Sequence, residues 1–140
     1  MTEEVSASLA SAPGEVRAAT SLVGGLRLPA DKSVAHRALL FNAMAHGEAE
    51  VTMPRPGEDV LSMAGVLRTL GAVSTIEDLP GGLTRVHVRG GGAKTAAMLP
   101  GDGGESLDCG NAGTAMRLLV GALSGRPASA TLVGDASLSS

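Results

Sequence analysis

Between Lys32 and Ala45 the apolar residues Leu39, Leu40, Ala43 and Met44 recur at helical spacing. That pattern predicts a helix opened by Asp31 as N-cap and closed by Gly47 just beyond its end. "EAEVTM" (Glu48 to Met53) then alternates apolar and polar like a strand, and "PRPG" breaks it. A second helical pattern follows from Glu58 to Leu70 through Val60, Leu61, Ala64, Leu67 and Leu70, with Gly71 as its stop. "AVSTIED" and "LTRVHVRG" predict a hairpin turning at Pro80-Gly81-Gly82, with Arg85 and His87 on the face opposite Val86 and Val88.

The flanks are less regular. Residues 1–20, rich in Ser, Ala and Glu, show no sustained period and predict a flexible tail. Residues 21–29, "SLVGGLRLP", alternate at Leu26 and Leu28 and predict a short strand that Pro29 ends. Residues 90–105, full of Gly and Ala, predict a surface loop. Beyond it "SLDCG" predicts a short extended piece, Asn111 to Leu123 a helix, and "ASATLVGD" a strand. The expected order is β, then α-β-α-β-β, then the start of a second strand-helix-strand unit, which is an α/β pattern.

Composition narrows the function classes. With 44% apolar and 18% charged residues the chain is expected to fold, and at 140 residues it suits one domain. A formal net charge of −3 gives no basic footprint for nucleic acid, and Phe41 is the sole aromatic, so base stacking is excluded as a mode of recognition. No apolar run approaches the roughly 18 residues that span a bilayer. The single Cys109 and the absence of a signal-peptide pattern predict a reducing, cytoplasmic setting without a membrane role.

Candidate chemistry gathers at two helix starts. A helix N-terminus already carries about half a positive charge, so Lys32 in the first turn and Arg37 soon after are poor helix stabilisers. They are well placed if an anionic ligand completes the charge balance. The alternative is that both are solvated charges or pair with Asp31 or a distant carboxylate. "NAGTAMR" repeats the design, with Ala112, Gly113, Thr114 and Ala115 exposing backbone N–H groups and Arg117 following. Two such starts predict two anionic groups held between them. Taken singly, Asn111 is more commonly an N-cap and Gly113 a close-packing residue, Thr114 has the same ambiguity, and Asp59 is most simply a dipole-compatible acid of its helix. His36, His46, His87 and Cys109 lack metal-ligand spacing. "GGGAKT" is not a P-loop, because Ala93 precedes Lys94, and "GDGGES" lacks the third glycine of a dinucleotide fingerprint.

"LPADKSVAHRALL", "LDCGNAGTAMRLL" and "GDASL", in this order, with "GEDV" and "LGA" between them, resemble the N-terminal part of the 5-enolpyruvylshikimate-3-phosphate synthases, members of the enolpyruvyl transferase family. The resemblance runs from about Leu26 to Leu138. It implies an inside-out α/β barrel lobe built of β-α-β-α-β-β units, incomplete in this chain, with residues 21–29 a strand and hinge of the other lobe and residues 30–140 part of the N-terminal lobe. It implies transfer of the enolpyruvyl group of phosphoenolpyruvate to the 5-hydroxyl of shikimate 3-phosphate in aromatic amino acid biosynthesis, without metal or redox cofactor. On the matching positions, Lys32 is implied to contact phosphoenolpyruvate and the reacting centre, and Ser33 and Arg37 the carboxylate of shikimate 3-phosphate. Asn111, Gly113 and Thr114 are implied to line the phosphoenolpyruvate side, and Arg117 to touch ligand or support its helix. Retention of Gly113 implies sensitivity to glyphosate. The remaining site residues are implied to come from a C-terminal lobe that this chain lacks, so the chain alone is expected to be inactive. Ala30 departs from the glycine usual before Asp-Lys-Ser. The sister enzymes acting on UDP-N-acetylglucosamine usually carry Lys-Asn where this chain has Lys32-Ser33, and a non-catalytic anion-binding fragment is the alternative of another class.

Overall fold

A computed structural model describes residues 23–25, 28, 30–92, 106–124 and 129–138. The predicted tail at 1–20 and most of the predicted loop at 90–105 lie outside the described residues, as does Leu26. Val23, Gly24, Gly25 and Leu28 stand in no strand.

Asp31 caps the first helix as its sequence suggests: its carboxylate accepts the Val34 N–H at 2.7 Å, and α1 runs Lys32–Met44. The chain turns extended at Ala45 and enters β1, His46–Pro54, at once. Gly47 therefore sits inside the strand with φ 107° and does not cap α1. α2 spans Glu58–Thr69, with Glu58 and Asp59 in its first turn and Arg68 in its last, each matched to the helix dipole. β2 (Val73–Leu79) and β3 (Leu83–Gly91) form the expected hairpin, and Gly81 and Gly82 supply positive φ at its turn.

These strands make an antiparallel sheet in the order β1-β3-β2. The register puts Val51, Val86 and Ile76 side by side on the inner face, and Val88 between Ala49 and Val73. The period of two then sends Glu48, Glu50, Glu77, Arg85, His87 and Arg89 to the outer face, where Arg85 and His87 each lie within 4 Å of both Glu50 and Glu77. α1 and α2 cover the inner face. Gly90 lets β3 pass under the end of α1; a methyl there would collide with the carbonyl oxygens of Asn42 and Ala45.

The second unit begins with β4 (Ser106–Asp108), α3 (Gly113–Leu123) and β5 (Thr131–Val133), and β4 pairs with β5 in parallel. The three helices run in the same direction. Near their starts Lys32 of α1 meets Asp59 of α2, and Ser62 of α2 lies beneath the turn before α3. At the other end Leu40, Ala43 and Met44 of α1, Leu67 and Leu70 of α2, and Leu119, Ala122 and Leu123 of α3 surround one small apolar cavity. Leu39, Met63, Leu107 and Leu119 are fully buried in the core between them. Each such side chain contributes roughly 1.5–3 kcal/mol by leaving water, which is what holds a chain with one aromatic together. Ala30 packs its methyl against this core with no strain, because no described residue other than glycine has positive φ.

Candidate anion site at the helix N-termini

Lys32, the first residue of α1, puts its Nζ 2.7 Å from Asp59 Oδ2 on α2. A carboxylate 27 residues away thus balances this charge in the free chain, and Asp59 is more than a first-turn acid. Beneath the pair lies His36, fully buried one turn along α1. Its Nδ1 is 2.6 Å from the Lys32 carbonyl oxygen and its Nε2 3.2 Å from that of Asp59. The tautomer decides which nitrogen donates, but the ring spans the two residues that form the ion pair.

Ser33 and Arg37 are exposed on α1. Among the described residues Arg37 and Arg117 have no carboxylate partner. Both guanidiniums therefore carry a fork of N–H donors that no described carboxylate engages.

The second start is built differently from its sequence expectation. α3 begins at Gly113, its N-cap is Ala112, and no side chain caps it. Asn111 is engaged elsewhere: its amide donates to the Asp135 carboxylate and to Ser137 Oγ at 3.2 Å. Asp135 in turn accepts the Ser137 N–H at 2.9 Å and its hydroxyl at 2.6 Å, an Asx turn in "GDASL". The Ser137 hydroxyl bond, assisted by the Asn111 amide, holds the Asp135 carboxyl below its ordinary range. Backbone bonds close the loop from Asp135 N to Gly110 O at 2.9 Å and from Cys109 N to Val133 O at 2.8 Å. The uncapped N–H groups of α3, with half-buried Gly113 and Thr114, are what remains for a ligand. At Gly113 a methyl would stand 3.3 Å from Leu138 Cδ2 and 3.4 Å from an Arg117 guanidinium nitrogen, so space there is already shared.

Cys109 is buried below the turn, where burial and then the neighbouring Asp108 raise its thiol above the ordinary range. His46 and His87 lie away from the helix starts, on the strands β1 and β3. Pairing of Lys32 with a distant carboxylate was the alternative reading of the sequence, and the structure bears it out; that the carboxylate is that of Asp59, and that His36 packs under the pair, the sequence did not signal beyond an acid and a histidine near helix starts. The Asp135–Ser137 turn was open to detection, since an Asp-x-Ser sequence favours a side-chain turn, but the tie of Asn111 to it is non-local.

The family model for EPSP synthase (3-phosphoshikimate 1-carboxyvinyltransferase) matches residues 16–140. The chain is 45% identical over 128 residues to the 3-phosphoshikimate 1-carboxyvinyltransferase of Afipia carboxidovorans, covering 91% of this chain and 27% of that protein. To the protein of the same name from Acidithiobacillus ferrooxidans it is 43% identical over 123 residues, 88% of this chain and 27% of that one. A solved structure of EPSP synthase from Acinetobacter baumannii superposes with a TM-score of 0.64 at 40% identity, over 83% of this chain and 24% of that one. The chain thus spans about a quarter of the length of the relatives it matches, and within that span the α/β arrangement is theirs without a closed barrel. With the family model covering residues 16–140, the chain belongs to the EPSP synthase (3-phosphoshikimate 1-carboxyvinyltransferase) family.

Proposed function

We propose that the starts of α1 and α3 form the first-lobe half of a site that joins phosphoenolpyruvate to shikimate 3-phosphate. The whole reaction moves the enolpyruvyl group to the 5-hydroxyl and releases phosphate. Arg37 carries the reading: it is an exposed guanidinium near a helix start, without a carboxylate partner among the described residues, at the position where the family resemblance puts a carboxylate of the acceptor. Ser33 adds a hydroxyl donor beside it. Lys32 serves phosphoenolpyruvate and the reacting centre, while Asn111, Gly113 and Thr114 shape the phosphoenolpyruvate side and Arg117 flanks it.

The physical logic is charge. Two polyanionic reactants repel each other, and helix N-termini with fixed guanidinium and ammonium groups offset that repulsion before the bond forms. Ser33, where the sister enzymes usually have Asn, favours shikimate 3-phosphate over a UDP-sugar acceptor. The missing partner is the second lobe, which the longer relatives have room for. No nucleic acid or membrane partner is invoked; among the described residues no helix is long and apolar enough to cross a bilayer.

The test is phosphate release. The 140-residue chain given both substrates should release none, whereas the same chain joined to the remainder of the Acinetobacter baumannii relative should turn over. Failure of the joined protein, once shown to be folded, would count against this reading.

A further inference from the structure

We infer that Asp59 is a positioning residue for Lys32, and that the buried His36 ring sets the distance between them. This rests on the proposal that Lys32 meets the anionic substrate. A lysine side chain has many rotamers, and the Lys32 side chain is 57% exposed, so nothing but a partner confines its ammonium. Asp59, in the first turn of α2, provides one at 2.7 Å, with its own side chain only 31% exposed.

Two features separate this pair from an ordinary surface ion pair. Its members come from two helix starts, not from one flexible surface loop. Their main chains also pack on one fully buried ring, which lies 2.6 Å from the Lys32 carbonyl oxygen and 3.2 Å from that of Asp59; a neutral imidazole donates to one of them and spaces the other. The ion pair and the ring wedged between the two main chains thus fix the spacing of Lys32 and Asp59. The ammonium is held in place before a ligand arrives, which lowers the ordering cost of binding.

The inference predicts the opposite sign from simple electrostatics. A carboxylate beside an anion site repels the anion, so a purely electrostatic Asp59 would weaken binding, and its removal would tighten it. As a positioning residue, its loss weakens binding instead.

The test has two arms on the 140-residue chain. Without ligand, NMR relaxation of the Lys32 Cε group should report a restricted side chain in the wild type and in Asp59→Asn, which keeps an acceptor oxygen, and a freely rotating one in Asp59→Ala. Equal mobility in the wild type and Asp59→Ala overturns the inference whether or not the chain binds anything. With phosphoenolpyruvate titrated in the presence of shikimate 3-phosphate, Asp59→Ala should weaken binding by up to about 5-fold, the scale of a lost exposed ion pair. Asp59→Asn should restore it, and in a Lys32→Met background Asp59→Ala should change nothing further. Unchanged or tighter binding in Asp59→Ala contradicts the positioning role. If Lys32→Met itself leaves phosphoenolpyruvate binding intact, the assignment of Lys32 to the site fails instead, so the two failures are distinct.

Discussion

The side-chain amide of Asn111 donates to the carboxylate of Asp135 across 24 residues, tying the turn before α3 to the turn after β5. β4 and β5 are three residues long each, so their ladder is too short to fix this region alone. The Asn111, Asp135 and Ser137 cluster completes it, and in doing so holds the uncapped start of α3 in place.

This tie is predicted to fail in acid. Asp135 has a folded-state pKa below its unfolded value of about 3.9, chiefly because Ser137 donates to its charged form. Such a group stabilises the fold above the unfolded pKa and loses that contribution as pH falls through the lower, folded value. An NMR titration should therefore show the Asn111 amide and Ser137 signals unchanged near neutrality and moving together below about pH 3.9. In Asp135→Asn this transition should be absent.

Arg37 is exposed and outside the core, so Arg37→Gln should leave the melting temperature within the small range of surface changes, about 0.5 kcal/mol. Binding of shikimate 3-phosphate should nevertheless weaken by one to two orders of magnitude, since a charge-assisted hydrogen bond contributes about 1.5–3 kcal/mol. Calorimetry of the chain and the variant checks both halves.

Leu119, with Ala115, is a buried residue through which α3 joins the common core, and it also lines the apolar cavity at the far ends of the helices. Leu119→Ala enlarges that cavity and should destabilise the chain by about 2–5 kcal/mol in urea unfolding. An equal loss of ellipticity without a cooperative transition would show that α3 is not part of the same folding unit.

Cys109 is buried, and its thiol is raised above the ordinary range by burial and by Asp108. Thiolate, the reactive form, is therefore scarce at neutral pH. Alkylation by iodoacetamide should be slow in the folded chain and fast in urea.

Much of the scaffold was legible in the sequence because its signals are local. Asp31 caps through its own side chain, Gly81 and Gly82 turn the hairpin by their own backbone freedom, and the alternation of Arg85, Val86, His87 and Val88 fixes the faces of β3. The misjudged ends have a common cause. Gly47 matches a helix stop locally, yet pairing of β1 with β3 as far back as His46 and Gly91 claims it for the strand. Asn111 is a good cap by type, yet Asp135, far along the chain, takes its amide. The pairing of Lys32 with Asp59 is equally non-local, since it depends on α1 and α2 lying side by side in the same direction. Which anions the two helix starts are proposed to hold rests on the family resemblance, because no local pattern carries it.

The most direct measurement is a titration of the isotopically labelled chain with shikimate 3-phosphate, followed residue by residue. The account predicts that the largest shifts gather at Lys32, Ser33 and Arg37 and extend to Asn111, Gly113 and Thr114 at the start of α3, with the outer sheet face around Glu50 and His87 silent. Shifts confined to that outer face, or none at either helix start at millimolar ligand, would contradict it.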